Sequence, residues 1–282
     1  MPVLVTLPDL SFEEAIMAER ITGRSGATYK RWQSISRQRS GQPADHVFLE
    51  GLRLCADAAA SDAVIEAALL ADGAGEEARS FFDRLPTAVL RYTLPDQLFD
   101  TLCDTEHPQG LALVCRSPAI GQPAEPPRAN GLYLIAEAIQ DPGNLGTMIR
   151  TADAFAYDGF IVTGGTVSPT NSKVMRAAMG SCFHIPLLTF PDVAAAASWL
   201  EQAALPLIAA DPRGTDVRRA GWPCGAALVI GNEAHGLSDQ VRRLCSSLVR
   251  IPMPGQAESL NASVAAAILG YELMLARLPN VE

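Results

Sequence analysis

Three short segments of the sequence combine polar side chains with glycine and proline in a pattern that suits a binding or catalytic site. In the first, the turn-forming residues 141–143 precede Asn144, and Arg150 follows six residues later. We place Asn144 at a helix N-cap, with Arg150 roughly one and two-thirds turns further along the helix. An amide and a guanidinium can orient and stabilise an oxygen that loses its proton, although a capped helix with a surface arginine would show the same residues.

The second segment begins with Gly231 directly after an apolar run, and Glu233 and Ser238 follow. A glycine at that point lets a ligand approach the backbone, and Ser238 is the expected cap of the next helix. Because glycine-rich turns between a strand and a helix are common, this segment alone is weak evidence for a site.

The third segment has two prolines and a glycine within 252–255, which predict a stiff loop. Three polar residues then open an otherwise apolar helix: Ser259, Asn261 and Ser263. These residues could be simple N-caps, or they could form the wall around a polar ligand.

The elements that must position these segments follow from the hydrophobic pattern after residue 130. Apolar runs predict strands at 131–136, 160–163, 206–210, 226–230 and 247–251. Helices are predicted at 145–156, 171–179, 191–203, 237–245 and 261–277. Strands that are apolar throughout are typical of a parallel sheet covered on both faces, so the fold class is α/β. Ligands bind such sheets at the carboxyl ends of the strands, where all three segments lie.

A segment with four prolines, residues 117–130, predicts a linker between two domains. The second domain is then 131–282. In the first, 1–116, Ser11–Glu14 form a capping box that predicts an N-terminal helical extension. Strands at 47–49, 63–70, 88–91 and 111–114, with helices at 52–60 and 95–102, predict a smaller α/β domain.

The net charge of −9 over 282 residues argues against a protein that coats nucleic acid by bulk electrostatics. Residues 20–44 are different, with six basic residues and no acidic one. Tyr29 and Trp32 within this segment could stack on RNA bases while the cations meet phosphates. The alternative is a solvated helix face whose aromatic residues lie in the core. The candidate RNA contacts are Lys30, Arg31 and Arg37.

Several other classes of protein are disfavoured. The six cysteines form no Cys-x-x-Cys pair and no histidine stands at zinc-finger spacing, so we predict no metal site. No basic signal-like start and no apolar run of about 18 residues is present, so we expect a cytoplasmic protein with reduced thiols and no membrane partner. The absence of a Gly-x-Gly-x-x-Gly fingerprint disfavours a dinucleotide-dependent oxidoreductase.

Together, the three segments closely resemble the SpoU/TrmH branch of the SPOUT-class RNA 2′-O-ribose methyltransferases, over residues 131–277. The first motif of that family is an asparagine followed six residues later by an arginine, and residues 228–237 and 251–267 resemble the second and third motifs. Phe48–Arg53 and His107–Leu111 resemble, less sharply, the substrate-binding domain found in the same family.

This resemblance implies a C-terminal SPOUT domain, with a parallel sheet and a deep trefoil knot, preceded by a smaller α/β substrate-binding domain. It also implies S-adenosyl-L-methionine as cofactor, a homodimer with the active site near the subunit interface, and methylation of a ribose 2′-hydroxyl in RNA. We expect ribosomal RNA rather than transfer RNA, because a separate N-terminal domain accompanies many relatives that act on ribosomal RNA. A member that binds RNA and cofactor without methylating is the other alternative.

The resemblance also implies roles for individual residues. Arg150 would meet the ribose hydroxyl, either as proton acceptor or as a cation that stabilises the developing alkoxide. Asn144 would orient Arg150 or the ribose, and Glu233 would fix this network or bind across the dimer. Two more side chains would line the reaction pocket: Ser259 and Asn261. Main-chain groups at five positions would hold the adenosine part of the cofactor: Ile230, Gly231, Ile251, Met253 and Leu260.

Overall fold

A computed structural model describes residues 18–37 and 45–278 of the chain. The predicted capping box at Ser11–Glu14 and the basic residue Arg39 lie outside the described residues. The described residues form two β-sheets, one from strands within residues 19–116 and the other from strands within residues 120–250. Within these ranges, no helix is both long and apolar enough to cross a membrane.

The N-terminal sheet is mixed and has the strand order β1-β4-β3-β5-β2. Its strands are β1 Glu19–Arg20, β2 His46–Glu50, β3 Ile65–Ala71, β4 Leu90–Leu94 and β5 Leu111–Arg116. Its helices are α1 Ala27–Ser36, α2 Leu52–Ala59, α3 Glu76–Asp83 and α4 Asp96–Asp100. Strands β1, β4 and β3 pair in parallel, and β5 is antiparallel to both β3 and β2. Helix α3 is absent from the sequence-based prediction, and α1 corresponds to the helix given there as the alternative for the basic segment.

The C-terminal sheet has seven strands in the order β12-β10-β11-β7-β8-β9-β6, and every pairing is parallel. Its strands are β6 Ile120–Gly121, β7 Leu132–Ala136, β8 Gly159–Thr163, β9 Leu187–Phe190, β10 Leu207–Asp216, β11 Ala226–Ile230 and β12 Ser247–Arg250. Its helices are α5 Pro142–Ala154, α6 Ser172–Ala178, α7 Val193–Leu200, α8 Asp239–Leu244 and α9 Ala262–Arg277. The prediction of an α/β fold with a parallel sheet is confirmed.

Strand β7 shows why the central strands are apolar throughout. Leu132 and Leu134 point into the core that contains α5, α6 and α9, whereas Tyr133 and Ile135 point into the core that contains α7 and α8. Successive side chains of a strand point to opposite faces, and both faces are covered by helices.

The structure corrects two expectations about element boundaries. Ile120–Gly121, inside the proline-rich segment 117–130, pairs with Leu187–Leu188 at the edge of the sheet, so the prolines do not exclude regular structure from all of it. Proline is compatible with a short edge strand when it lies outside the paired residues. Strand β10, predicted to end at residue 210, continues to Asp216 past an irregularity after Ala210.

The last helix, α9, has an apolar stripe that faces away from the core of its own chain. Such a stripe is typical of a core-facing helix, yet its four residues are 45%, 37%, 46% and 42% exposed: Val264, Ile268, Tyr271 and Leu275. The opposite face of α9 packs against α5 and β11 through fully buried residues: Ala266, Leu269 and Leu273.

Candidate active site

The three polar segments meet at one cavity of about 880 Å³, near the ends of β11 and β12. Nine of the predicted site residues line this cavity: Asn144, Ile230, Gly231, Glu233, Ile251, Met253, Ser259, Leu260 and Asn261. The carboxyl-end location predicted from the sheet is therefore where the structure brings these residues together.

Asn144 lies at the centre of the polar network in the cavity. Its Nδ2 donates to Glu233 Oε1 at 3.0 Å, and its Oδ1 accepts from Asn261 Nδ2 at 2.8 Å. The side chain of Asn144 is thus satisfied on both sides although the residue is only 8% exposed. One residue from each of the three segments belongs to this network.

The start of α5 explains why Asn144 is available for this role. The helix begins at Pro142, and the carboxylate of Asp141 caps it by accepting from the main-chain N–H of Asn144 at 2.8 Å. The prediction that Asn144 is the N-cap is wrong, because the aspartate before the proline takes that position. Asn144 instead lies inside the first turn, with its amide free to bond to the other two loops.

Glu233 is held as an anion at the N-terminus of α5. Its two oxygens accept from the main-chain N–H groups of Gln140 at 3.3 Å and Asp141 at 3.2 Å. Burial by itself would raise the pKa of Glu233, but the hydrogen bonds from Asn144 and from these main-chain groups hold the pKa below its usual value. The cavity therefore contains a carboxylate that is charged at neutral pH.

The second segment owes its shape to Gly231 and Asn232. A Cβ at Gly231 would lie 2.6 Å from the main-chain carbonyl carbon of Gly236, so the loop itself requires the glycine. Asn232 Oδ1 accepts from the N–H groups of Ala234 and His235, and its Nδ2 donates to the carbonyl of Ala138 at 2.8 Å. Asn232 thus ties the second loop to the first, a role that its sequence position did not indicate.

Asn261 satisfies both alternatives that the sequence left open. Its Oδ1 caps α9 by accepting from the N–H of Ser263 at 2.8 Å, and it also accepts from Ser263 Oγ at 2.7 Å. Because its Nδ2 bonds to Asn144, the same side chain both caps the helix and forms a wall of the cavity.

A fourth group of cavity residues was missed by the sequence analysis. Asp211, Arg242 and Arg250 line the cavity, and Arg242 Nε donates to Asp211 Oδ2 at 2.7 Å. Burial would raise the pKa of Asp211, but hydrogen bonds from Arg213 and Arg242 lower it to about 2. Asp211 directly follows the predicted strand 206–210, so the carboxyl-end argument applied to that strand would have included it.

Arg150 does not line the cavity formed by its own chain. It is exposed on α5, whereas Asn144 on the same helix is buried. Six residues along a helix turn a side chain by about 240°, so the two residues point in different directions. Within one chain, the structure does not bring Arg150 together with the other predicted catalytic residues.

The basic segment forms helix α1, and its aromatic residues are buried. Tyr29 and Trp32 are 0% and 1% exposed, so they belong to the core and cannot stack on bases, which confirms the alternative of core aromatics. All three candidate RNA contacts are exposed, and Arg31 also donates a hydrogen bond to Glu66 at 2.8 Å.

Comparison with known proteins identifies the class of protein that this fold and cavity represent. The SpoU rRNA Methylase family matches residues 131–271. The chain is 32% identical to 23S rRNA (guanosine(2553)-2′-O)-methyltransferase RlmP of Bacillus subtilis, over 90% of this chain and 99% of that protein. It is also 32% identical to the 23S rRNA (uridine(2479)-2′-O)-methyltransferase of Streptomyces viridochromogenes, over 94% and 95% of the two chains.

The crystal structure of the SpoU methyltransferase AviRb from Streptomyces viridochromogenes, in complex with the cofactor AdoMet, has the same fold. It superposes with a TM-score of 0.77 at 28% identity, over 89% of this chain and 98% of that chain. The chain belongs to the SpoU rRNA methylase family. It is an RNA ribose 2′-O-methyltransferase that uses S-adenosylmethionine, as its motifs predicted.

Proposed function

We propose that the chain methylates a ribose 2′-hydroxyl in ribosomal RNA at the cavity centred on Asn144. The observation that supports this most directly is the hydrogen-bonded set of Glu233, Asn144 and Asn261, with one residue from each motif. Ribosomal RNA is favoured over transfer RNA because two relatives that match over nearly their whole length are named as 23S rRNA enzymes.

The cavity suits S-adenosylmethionine by its charge and by the residues that line it. The cofactor supplies a methyl group bound to a positively charged sulfur. The sulfur keeps the bonding electron pair when the methyl group is transferred. The anionic Glu233 favours a cation in the cavity, and residues 230, 231, 251, 253 and 260, whose main chain would hold the adenosine, line the cavity. Asn144 and Asn261 keep that carboxylate in place, and Ser259 offers a hydroxyl at the cavity wall.

Arg150 acts as a cation in this proposal. A guanidinium stays protonated in nearly all protein sites, and Arg150 is exposed to water rather than buried. As a cation it holds a phosphate next to the target ribose and stabilises the negative charge that develops on the 2′-oxygen. The proton of the hydroxyl then passes to solvent.

The site is completed in a homodimer, in which Arg150 serves the cavity of the partner subunit. The exposed apolar stripe of α9 supports this, since a second copy would cover it. Phe155, at the end of α5, contacts Tyr271 of that stripe with ring centroids 5.7 Å apart. A copy seated on α9 would therefore lie next to the helix from which Arg150 projects.

The deep trefoil knot and the substrate-binding role of residues 1–116 are part of the same proposal. After β12 at the sheet edge, the chain returns across the ends of β10 and β11 to place Asn261 beside Asn144, which is the kind of path a knot requires. A cytoplasmic location follows from a ribosomal RNA substrate.

Mapping of 2′-O-methyl groups in total RNA tests the function. A strain that lacks the protein should lose one ribosomal methyl group, and the wild-type chain should restore it. Arg150→Ala should fail to restore it although the protein is expressed. If the strain loses a methyl group from transfer RNA instead, transfer RNA is the substrate. If the strain loses no methyl group, the proposal is contradicted.

A further inference from the structure

Arg53 and Arg150 come from different halves of the chain, and both place a positive charge near the carboxylate of Asp57. Arg53 is on α2, beside the N-terminal sheet, and Arg150 is on α5, beside the C-terminal sheet. Burial raises the pKa of Asp57, and the positive charges of Arg53 and Arg150 both oppose that rise. We call Arg53 and Arg150 the arginine pair.

Direct packing fixes the position of Asp57 against the C-terminal domain. A Cβ at Gly180, in the turn after α6, would lie 2.6 Å from Cβ of Asp57. Gly180 also has a φ of +84°, which other residues rarely adopt. Helix α2 therefore rests on this turn, and only glycine permits that contact.

A second contact holds the same two parts of the chain together. Arg176 on α6 reaches Glu50 at 3.4 Å and Asp104 at 3.3 Å, and Ser172 Oγ bonds to Asp104 at 2.7 Å. Glu50 is buried and ends the strand before α2. Helix α6 in turn packs closely on α5 at Gly146. The arginine pair is therefore held on two helices whose relative position is fixed.

Both guanidinium groups have N–H donors that no salt bridge within the described ranges uses. Arg53 and Arg150 are exposed, and neither forms a salt bridge within residues 18–37 and 45–278, whereas Arg20, Arg31 and Arg176 do. Asp153, one turn from Arg150 on α5, bonds instead to His184 at 3.2 Å. A planar guanidinium with free N–H groups matches the geometry of a phosphate.

We propose that Arg53 and Arg150 bind the same phosphodiester group of the substrate RNA, so that Arg53 determines where the strand enters the catalytic site. This rests on the proposed function, in which RNA is the substrate. The cofactor bound by the same chain is not the ligand of the pair, because neither arginine lines the cavity of its own chain. Arg53 belongs to the segment Phe48–Arg53, which resembles the substrate-binding domain of the family but had no role assigned to it.

Asp57 leads to a second prediction, in which a substitution strengthens RNA binding. The residue follows Arg53 by four positions, so the two share one face of α2. A fixed carboxylate next to the pair repels a phosphate that binds there. Removal of its charge should therefore tighten RNA binding, whereas removal of the Arg53 charge should weaken it.

RNA affinity and its dependence on salt test the pair in the full-length protein, with a ribosomal RNA transcript as probe. Arg53→Ala should weaken binding about tenfold and lower the log–log salt slope by roughly 0.7–0.9. Arg53→Lys should fall between Arg53→Ala and the wild type, because it keeps the charge without the planar fork. Arg84→Ala is the matched control, since Arg84 is an exposed arginine next to a helix of the same N-terminal half and forms no salt bridge within the described ranges.

Asp57→Asn should tighten RNA binding severalfold, and calorimetry with S-adenosylhomocysteine should give unchanged affinity for all four variants. The proposal is overturned if Arg53→Ala matches Arg84→Ala, or if Asp57→Asn weakens RNA binding as Arg53→Ala does. A failure of the proposed function would look different: the wild type would bind RNA and yet leave its ribose unmethylated.

Discussion

The side-chain amide of Asn261 donates a hydrogen bond of 2.8 Å to the side-chain oxygen of Asn144, across 117 positions of the sequence. The side-chain amide of Asn144 in turn donates a hydrogen bond to Glu233. Asn144 lies in the first turn of α5, and Asn261 caps α9. The bond therefore joins the first and third segments around the cavity. The three side chains form one unit, and their contributions to catalysis should not add.

Substitution of these asparagines tests that coupling. Asn144→Ala and Asn261→Ser should each lower kcat by about 10- to 100-fold, and the double variant should lose little more than the worse single variant. Serine at 261 keeps a helix cap, so a loss of activity would come from the missing amide and not from a frayed α9. Kinetics of all four proteins, with thermal unfolding as the control, would complete the cycle. Multiplicative losses would show that the residues act independently.

Mixed dimers test the placement of Arg150. Arg150→Ala should abolish methyl transfer and leave cofactor affinity within a fewfold, because the proposed cofactor contacts are main-chain groups of the other two segments. If Arg150 serves the partner, an equal mixture of Arg150→Ala and Asn261→Ala chains, refolded together, should recover about a quarter of the wild-type rate. Half of the dimers are then mixed, and each mixed dimer has one intact site.

The competing arrangement gives a clear result in the same experiment. If Arg150 served the cavity of its own chain, each mixed dimer would have one defect in each site, and no activity would return. Analytical ultracentrifugation of a Tyr271→Glu variant provides the control, because a charge in the exposed stripe of α9 should produce monomers without activity.

The motif glycine Gly146 is explained by packing, and this predicts a cost in stability. A Cβ there would lie 2.5 Å from Cβ of Ala177 and 2.5 Å from the carbonyl oxygen of Val174, both on α6. Gly146→Ala should therefore destabilise the fold by about 1–3 kcal/mol through overpacking. Gly221→Ala, at a glycine with nothing within 4 Å of its Cβ position, should change the free energy of unfolding by much less. Equal effects of the two substitutions in urea unfolding would contradict this account.

The sequence predicted the parallel sheet well because its central strands are buried on both faces and leave uninterrupted apolar runs. It also placed the three polar segments at the strand ends, and the resemblance to the SpoU/TrmH family supplied the nine individual residues that line the cavity. Strand β9 was missed because it is short and its last three residues are only partly buried. The cap at Asp141 and the exposed stripe of α9 depend on backbone geometry and on a partner surface, neither of which hydrophobic periodicity can reveal.

Glu66 predicts a specific dependence of stability on pH. Hydrogen bonds from Arg31 and then His46 lower the pKa of Glu66 to about 2 from about 4.5. A group whose pKa is lower in the folded state contributes stability above its unfolded pKa and loses it as the pH falls through the folded value. The contribution of Glu66 should therefore be complete above about pH 5 and lost towards pH 2.

Glu66→Gln should cost about 1 kcal/mol at neutral pH, a value reduced by solvent screening of this partly exposed group. The unfolding free energies of variant and wild type should converge as the pH falls towards 2. A constant difference between the two curves would show that the carboxylate charge is not responsible.

The exposed residues of α1 provide the last prediction. Tyr29 and Trp32 anchor this helix in the core, so Lys30 and Arg37 can change without loss of the helix. Arg31 is different, because it pairs with Glu66, and reversal of its charge would disturb the fold. If α1 contacts RNA, Lys30→Glu together with Arg37→Glu should weaken RNA binding and lower the log–log salt slope by about 1.4–1.8. Cofactor affinity should stay the same, because the cavity lies at the strand ends of the C-terminal sheet. An unchanged salt slope would mean that α1 is an ordinary solvated helix, and that the RNA contacts of the N-terminal domain lie elsewhere.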